Sequence, residues 1–154
     1  MKLHVVNKYE CELCGSMYDT PERASICESA FARDTELHER LQSTVGKVIV
    51  FLDKHKSLSA LVVVDRVYLS NGRCAEGLLH IDSASSNDCY GSSWLEYGME
   101  VLTISEAAAA GYKPYNLKTL SNRNPKMYEE YVEALSGLTV EQLTKQVLGG
   151  IRNG

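Results

Sequence analysis

Residues 9–28 read YECELCGSMYDTPERASICE, and the reading of this stretch decides the amino-terminal fold. Two residues separate Cys11 from Cys14 and twelve more separate Cys14 from Cys27, which is the spacing of three of the four ligands in a ββα zinc finger. The flanking pattern agrees. LHVV and YECE are extended before the CELCG turn, and SMYD returns as a second strand of a short hairpin. Thr20 is placed as an N-cap, with Pro21 at the first helical position and Glu22 in the first turn, where its charge complements the helix dipole. Ala24, Cys27, Phe31, Asp34 and His38 recur at three-to-four spacing and predict one face of a helix reaching about Gln42.

The fourth ligand is the open position. In a ββα finger it falls four to six residues after Cys27, where this chain has Phe31, Ala32 or Arg33. His38 shares the face, yet it lies about 16 Å farther along a straight helix, outside any zinc coordination sphere. His4, Cys74, His80 and Cys89 are the donors that can reach in from elsewhere. The alternative is a metal-free ββα lobe in which Phe31 packs over Cys11, Cys14 and Cys27, because buried free cysteine behaves as a small apolar residue.

Outward from this stretch the period changes twice. KVIVFLD, SALVVVDRVYLS and AEGLLHID are rich in branched residues and predict an antiparallel meander, with Ser70-Asn71-Gly72 as a turn, residues 83–93 as a loop and WLEYGMEVL as a last strand. From Thr103 the period is helical. Thr103 and Glu106 form a capping box ahead of AAAA, and Gly111 ends that helix. PYNLKTLSNR predicts a second helix. Asn124 and Pro125 start a third with the stripe Met127, Tyr128, Tyr131, Val132 and Leu135, and Leu143, Val147 and Leu148 define a fourth. The expected class is α+β in three segments: a finger-like ββα lobe over 1–44, an antiparallel β segment over 45–102 and a helical lobe over 103–154.

Composition bounds the function. Apolar residues at 44% and charged residues at 23% suit a folded globular chain. No apolar run approaches the roughly 18 residues of a membrane span, and MKLHVVNKYE lacks the apolar core of a secretory signal, so a cytoplasmic location is expected. Five cysteines, an odd number, read as thiols or metal ligands rather than as a disulfide framework. Residues 1–45 carry 5 basic and 8 acidic side chains, 46–102 carry 5 and 7, and 103–154 carry 6 and 5. A nucleic-acid binder ordinarily shows a basic face, and only the last third leans that way.

Two resemblances follow from these residues. The pattern Y-x-C-x-x-C-G-x-x-Y followed by T-x-E-x-A-x-x-C-E, matched at Tyr9, Cys11, Cys14, Gly15, Tyr18, Cys27 and Glu28, resembles the small finger-like modules of phage and bacterial accessory proteins; the usual His after Cys-Glu is absent. The resemblance implies Zn2+ held by Cys11, Cys14 and Cys27. It also implies a non-catalytic protein that binds a protein assembly, such as an inhibitor of host defence or nucleic-acid-handling machinery. Residues 103–125 are similar to the helix-turn-helix of small phage regulators and terminase-type proteins, which makes a DNA-binding regulator the alternative. There Asn122 and Arg123 would address base edges and Lys118 phosphate. Tyr112, Tyr115 and Tyr128 are the aromatic anchors expected of a protein-binding surface. His80, Asp82, Asp88 and Cys89 are close in sequence, the minimum for thiol chemistry and the basis of a third reading as a small enzyme. No Walker loop, dinucleotide fingerprint, H-E-x-x-H or G-x-S-x-G is present, and the chain is read as non-catalytic.

Overall fold

Val48–Leu52 is apolar at every position, the mark of a strand covered on both sides. The computed structural model describes residues 7–114 and 116–137. Its amino-terminal hairpin pairs β1 (Tyr9–Glu10) with β2 (Met17–Tyr18), and α1 (Pro21–Leu41) follows. Then come β3 (Val48–Leu52), β4 (Leu58–Leu69), β5 (Leu79–Ser83), β6 (Cys89–Tyr90) and β7 (Met99–Leu102), in a five-stranded sheet of order β6-β5-β4-β3-β7 with every pair antiparallel. Helices α2 (Ile104–Ala109), α3 (Leu117–Arg123) and α4 (Pro125–Ser136) end the described chain. The class is α+β, as the change of period predicts. Among the described residues no helix is long and apolar enough to cross a membrane.

The caps behave as their sequences require. Thr20 accepts the Arg23 N–H, Thr103 and Glu106 close a reciprocal capping box, and Asn124 accepts the Met127 N–H ahead of Pro125. On α1 the buried positions are Ala24, Cys27, Asp34 and Leu41, the face that the spacing marks.

Two apolar cores fill the two sides of the sheet. Leu37 and Leu41 of α1 pack on Ile49, Phe51, Val62, Val64, Leu79 and Ile81. On the opposite face Ile104, Ala107, Leu120, Met127 and Tyr131 of the carboxyl-terminal helices pack on Val48, Val50 and Val63. Strand β4 changes its alternation at an irregularity between Val64 and Arg66. Beyond it Val67 and Leu69 stay on the α1 side, so Arg66 and Tyr68 turn to the other face.

Three expectations need correction. Ser70-Asn71-Gly72 is not a tight hairpin turn: Leu69 pairs with Leu79, the Ser70 N–H donates to the Leu78 carbonyl, and the intervening loop holds a 3-10 turn at Cys74–Glu76. The left-handed backbone is at Gly77, φ +89°, not at Gly72. Residues 83–93 contain strand β6, and Trp94–Leu95 belong to another 3-10 turn (Ser92–Leu95), so the last strand starts only at Met99. Within the α4 stripe Met127 and Tyr131 are buried while Val132 is exposed. The fourth apolar stripe and His4 lie outside the described residues.

Candidate metal centre

The Cys11–Gly15 turn is closed by two backbone bonds: the Gly15 N–H donates to the Cys11 carbonyl and the Cys11 N–H to the Ser16 carbonyl, both at 2.8 Å. Gly15 takes φ +76° there, a conformation glycine reaches without a Cβ clash. This turn presents Cys11 and Cys14 toward Cys27 on the first turns of α1. The fourth donor is Cys74, delivered by the loop between β4 and β5. The four Sγ atoms all lie within 4.8 Å of one another, with Cys14 Sγ and Cys27 Sγ 3.6 Å apart. Four thiolates about 2.3 Å from a tetrahedral ion would stand about 3.8 Å from each other, so the cluster has the dimensions of a four-sulfur metal site. Cys11, Cys27 and Cys74 are buried and Cys14 is half-buried. These four cysteines can bind a metal ion.

The surroundings treat the sulfurs differently, lowering Cys14 and raising Cys11 and Cys74. The backbone amides of Cys14 and Leu13 act to lower the Cys11 thiol against its burial, and those of Cys74 and Ser16 act to lower that of Cys14. The Cys14 thiol donates to the Ser16 hydroxyl oxygen at 3.2 Å, which also accepts the Arg73 Nε–H at 3.1 Å; once Cys14 is ionised the hydroxyl proton can turn to the sulfur. With Ser16 as the largest cause, the Cys14 thiol is lowered to about 5. Burial pushes Cys74 up to about 12 and raises Cys11 as well, so without an ion these two remain thiols and binding releases protons. The Tyr18 hydroxyl is buried with no hydrogen bond of standard geometry, and its polar neighbours are Cys27 and Arg73. A Cys27 thiolate would supply the acceptor that hydroxyl lacks, which is a feature a metal-loaded site explains.

Phe31, at the position where a finger has its last ligand, packs half-buried against Cys11, Cys27, Cys74 and Leu78. The ligand position on the helix is therefore filled by an apolar ring, and the fourth sulfur comes from the β4–β5 loop. His38 stays on an unbroken α1, as its distance requires. Asp34, fully buried, holds the Cys74 loop against α1: its Oδ2 accepts the Leu78 and Leu79 N–H groups at 2.7 and 3.2 Å, and its Oδ1 accepts the Arg33 Nε–H at 3.0 Å. Burial raises the Asp34 carboxyl, but these donors outweigh it and leave the group below the ordinary carboxylate range. Spacing alone did not reveal this brace. Its signal was a carboxylate on the apolar face of α1.

His80 and Cys89 are brought together on the open part of the sheet face that Arg66 and Tyr68 share. His80 Nδ1 is 3.2 Å from Cys89 Sγ, and the ring stacks on Tyr68 at 5.1 Å. Arg66 lies over Tyr68 at 4.1 Å and donates to Asp82 at 2.9 Å. His80 and Cys89 also line an open cleft of about 810 Å³ with Arg33, Leu37, Leu79 and Ser92. Burial first, then the Asp82 carboxylate, raises the Cys89 thiol, which keeps it protonated and a weak nucleophile at neutral pH.

Lys118, Asn122 and Arg123 are all exposed on α3, and Arg123 is in addition partnered. The Arg123 guanidinium donates to the Ser83 carbonyl at 3.2 Å and also bonds the Ser86 carbonyl and Asn87 Oδ1, so it fastens the loop between β5 and β6 instead of projecting from α3. Tyr112 and Tyr128 are half-buried against the helical core rather than standing free, because Tyr128 adjoins the buried Met127. Tyr115 lies outside the described residues. Comparison with family models, curated proteins and solved structures finds no match.

Proposed function

We propose that this chain is a non-catalytic binding protein whose Cys11, Cys14, Cys27 and Cys74 hold a structural zinc ion. The observation that carries the reading is the closed four-sulfur set. Soft thiolates at tetrahedral separations suit zinc, and four protein ligands leave no coordination position open for a substrate, as structural zinc sites do. The ion fastens the ββα hairpin and α1 to the β4–β5 loop, and so fixes the two lobes as one surface. A protein is the partner class supported best: the chain carries a formal net charge of −4, and the arginine expected to read DNA is committed to a loop.

Two measurements test this. Metal analysis of the purified chain is expected to give about one zinc per chain, with release by a chelator lowering the unfolding midpoint; a full-length folded chain without bound metal would end the zinc reading. Immobilised zinc-loaded chain is then challenged with nuclease-treated bacterial lysate and, separately, with duplex DNA at low salt. Retention of a protein that survives nuclease treatment supports the function, whereas DNA binding that weakens steeply with salt would replace it with the regulator reading.

A further inference from the structure

Among the described residues strand β7 is an edge of the sheet, with no strand paired on its outer side. The Leu52 N–H donates to the Gly98 carbonyl at 3.1 Å, and Val50 stands opposite Glu100 and Val48 opposite Leu102. By alternation Glu100 and Leu102 turn their N–H and C=O groups toward β3, while Met99 and Val101 turn theirs outward. Among the described residues nothing hydrogen-bonds to those outward groups.

The two flanks of this edge differ in chemistry. Met99 stands opposite Phe51 and Val101 opposite Ile49, both in the core under α1, so that flank is apolar. Val101 is 40% exposed, with Trp94 at 39% and Tyr97 at 44% just ahead of the strand, and Trp94 packs on Phe51 at 5.8 Å. The other flank is acidic. Glu100 is exposed there, and Glu130 and Glu133 line a recess with Thr103 and Ser105 at the end of the strand.

We propose that β7 is the docking edge for an extended segment of a partner protein that alternates apolar and basic side chains, added as a sixth strand beside the five present. This rests on the protein-binding reading and names the surface it uses. Main-chain hydrogen bonds to Met99 and Val101 supply the attachment, and the alternating side chains meet an apolar flank on one side and carboxylates on the other. A second copy of this chain fits poorly, because its own edge would bring Glu100 and the α4 carboxylates against like charges.

The test uses the zinc-loaded chain and a capped seven-residue peptide alternating Lys and Val, beside a Glu/Val counterpart and a backbone N-methylated Lys/Val version. Emission of Trp94, the only tryptophan, reports binding, and hydrogen exchange reports the Met99 and Val101 amides. Saturable binding of the Lys/Val peptide with slowed exchange at both amides is expected. It should weaken roughly tenfold or more for the N-methylated peptide, for the Glu/Val peptide and for the exposed-site variant Val101→Lys, and Glu100→Lys should shift preference toward Glu/Val. No saturable binding, binding that leaves both amides exchanging freely, or self-association through this edge would overturn it. A lysate protein retained equally by wild type and Val101→Lys would overturn the edge while leaving the protein-binding function standing.

Discussion

Where the hairpin turn, α1 and the loop before β5 meet, four sulfurs face one another with three of them buried, whereas on β6 a single exposed sulfur faces one imidazole. Both places join cysteine to the same sheet, and they differ in how many donors converge there. Around the cluster the Ser16–Arg73 pair helps lower Cys14 while burial keeps Cys11 and Cys74 raised, and it is the meeting of four sulfur donors that suits a cation. Beside Cys89 the nearest charge is the Asp82 carboxylate, which disfavours thiolate. Convergence of donors, more than the presence of cysteine, separates a metal site from an isolated thiol.

The largest expected effect breaks the cluster. Cys74→Ser should lose the bound metal and roughly 4 kcal/mol of stability, while Cys89→Ser should keep the metal and cost less than about 1 kcal/mol. Zinc content and urea unfolding of both variants measure the contrast. Full metal occupancy in Cys74→Ser would show that the sheet does not supply the fourth ligand.

Next in size is the brace that carries Cys74 to α1. Asp34→Ala leaves two buried amides without their acceptor, an expected loss of about 2–3 kcal/mol; Asp34→Asn keeps one acceptor and should lose less. The carboxyl is lowered in the fold, so its stabilisation is fully present above the unfolded value of about 3.9 and is lost as pH falls below that through the folded value. The stability gap between wild type and Asp34→Asn should therefore hold steady at neutral pH and close in acid. Taking that gap cancels metal loss, which both chains share. A gap that stays constant down to acid unfolding would remove the charged role of Asp34.

Local chemistry was legible in the sequence and distant closure was not. Thr20, Thr103 and Asn124 cap as read because an N-cap bonds within three residues of itself, and the α1 face from Ala24 to Asp34 follows from helical period alone. Three sulfurs of the cluster were likewise legible from spacing within the hairpin and helix. Cys74 was one of four open donors, because its position depends on how β4 and β5 pair, which no local period encodes. The same limit hid Arg123: a basic residue near a helix end looks alike whether it faces solvent or, as here, three acceptors in a loop brought over by the sheet. The odd cysteine count and the glycines bracketing Cys74 were the available signals.

The smallest effect sharpens the other side of the comparison. In a zinc-loaded chain iodoacetamide should modify Cys89 alone, since the remaining four cysteines would be bound to the ion and three of them are buried, and chelation should open the rest. The reaction should be slow at pH 7 and speed up as pH rises past the ordinary thiol range, because burial and Asp82 raise the Cys89 thiol. Asp82→Asn removes the second cause and leaves the first, so it should quicken alkylation by a few-fold at constant pH. It should cost little stability, since the Arg66 partner of Asp82 is largely exposed. Mass spectrometry of timed samples counts the adducts. An unchanged rate in Asp82→Asn would leave burial as the sole cause, and a ligand cysteine labelled ahead of Cys89 would mean that the four sulfurs are not closed around an ion.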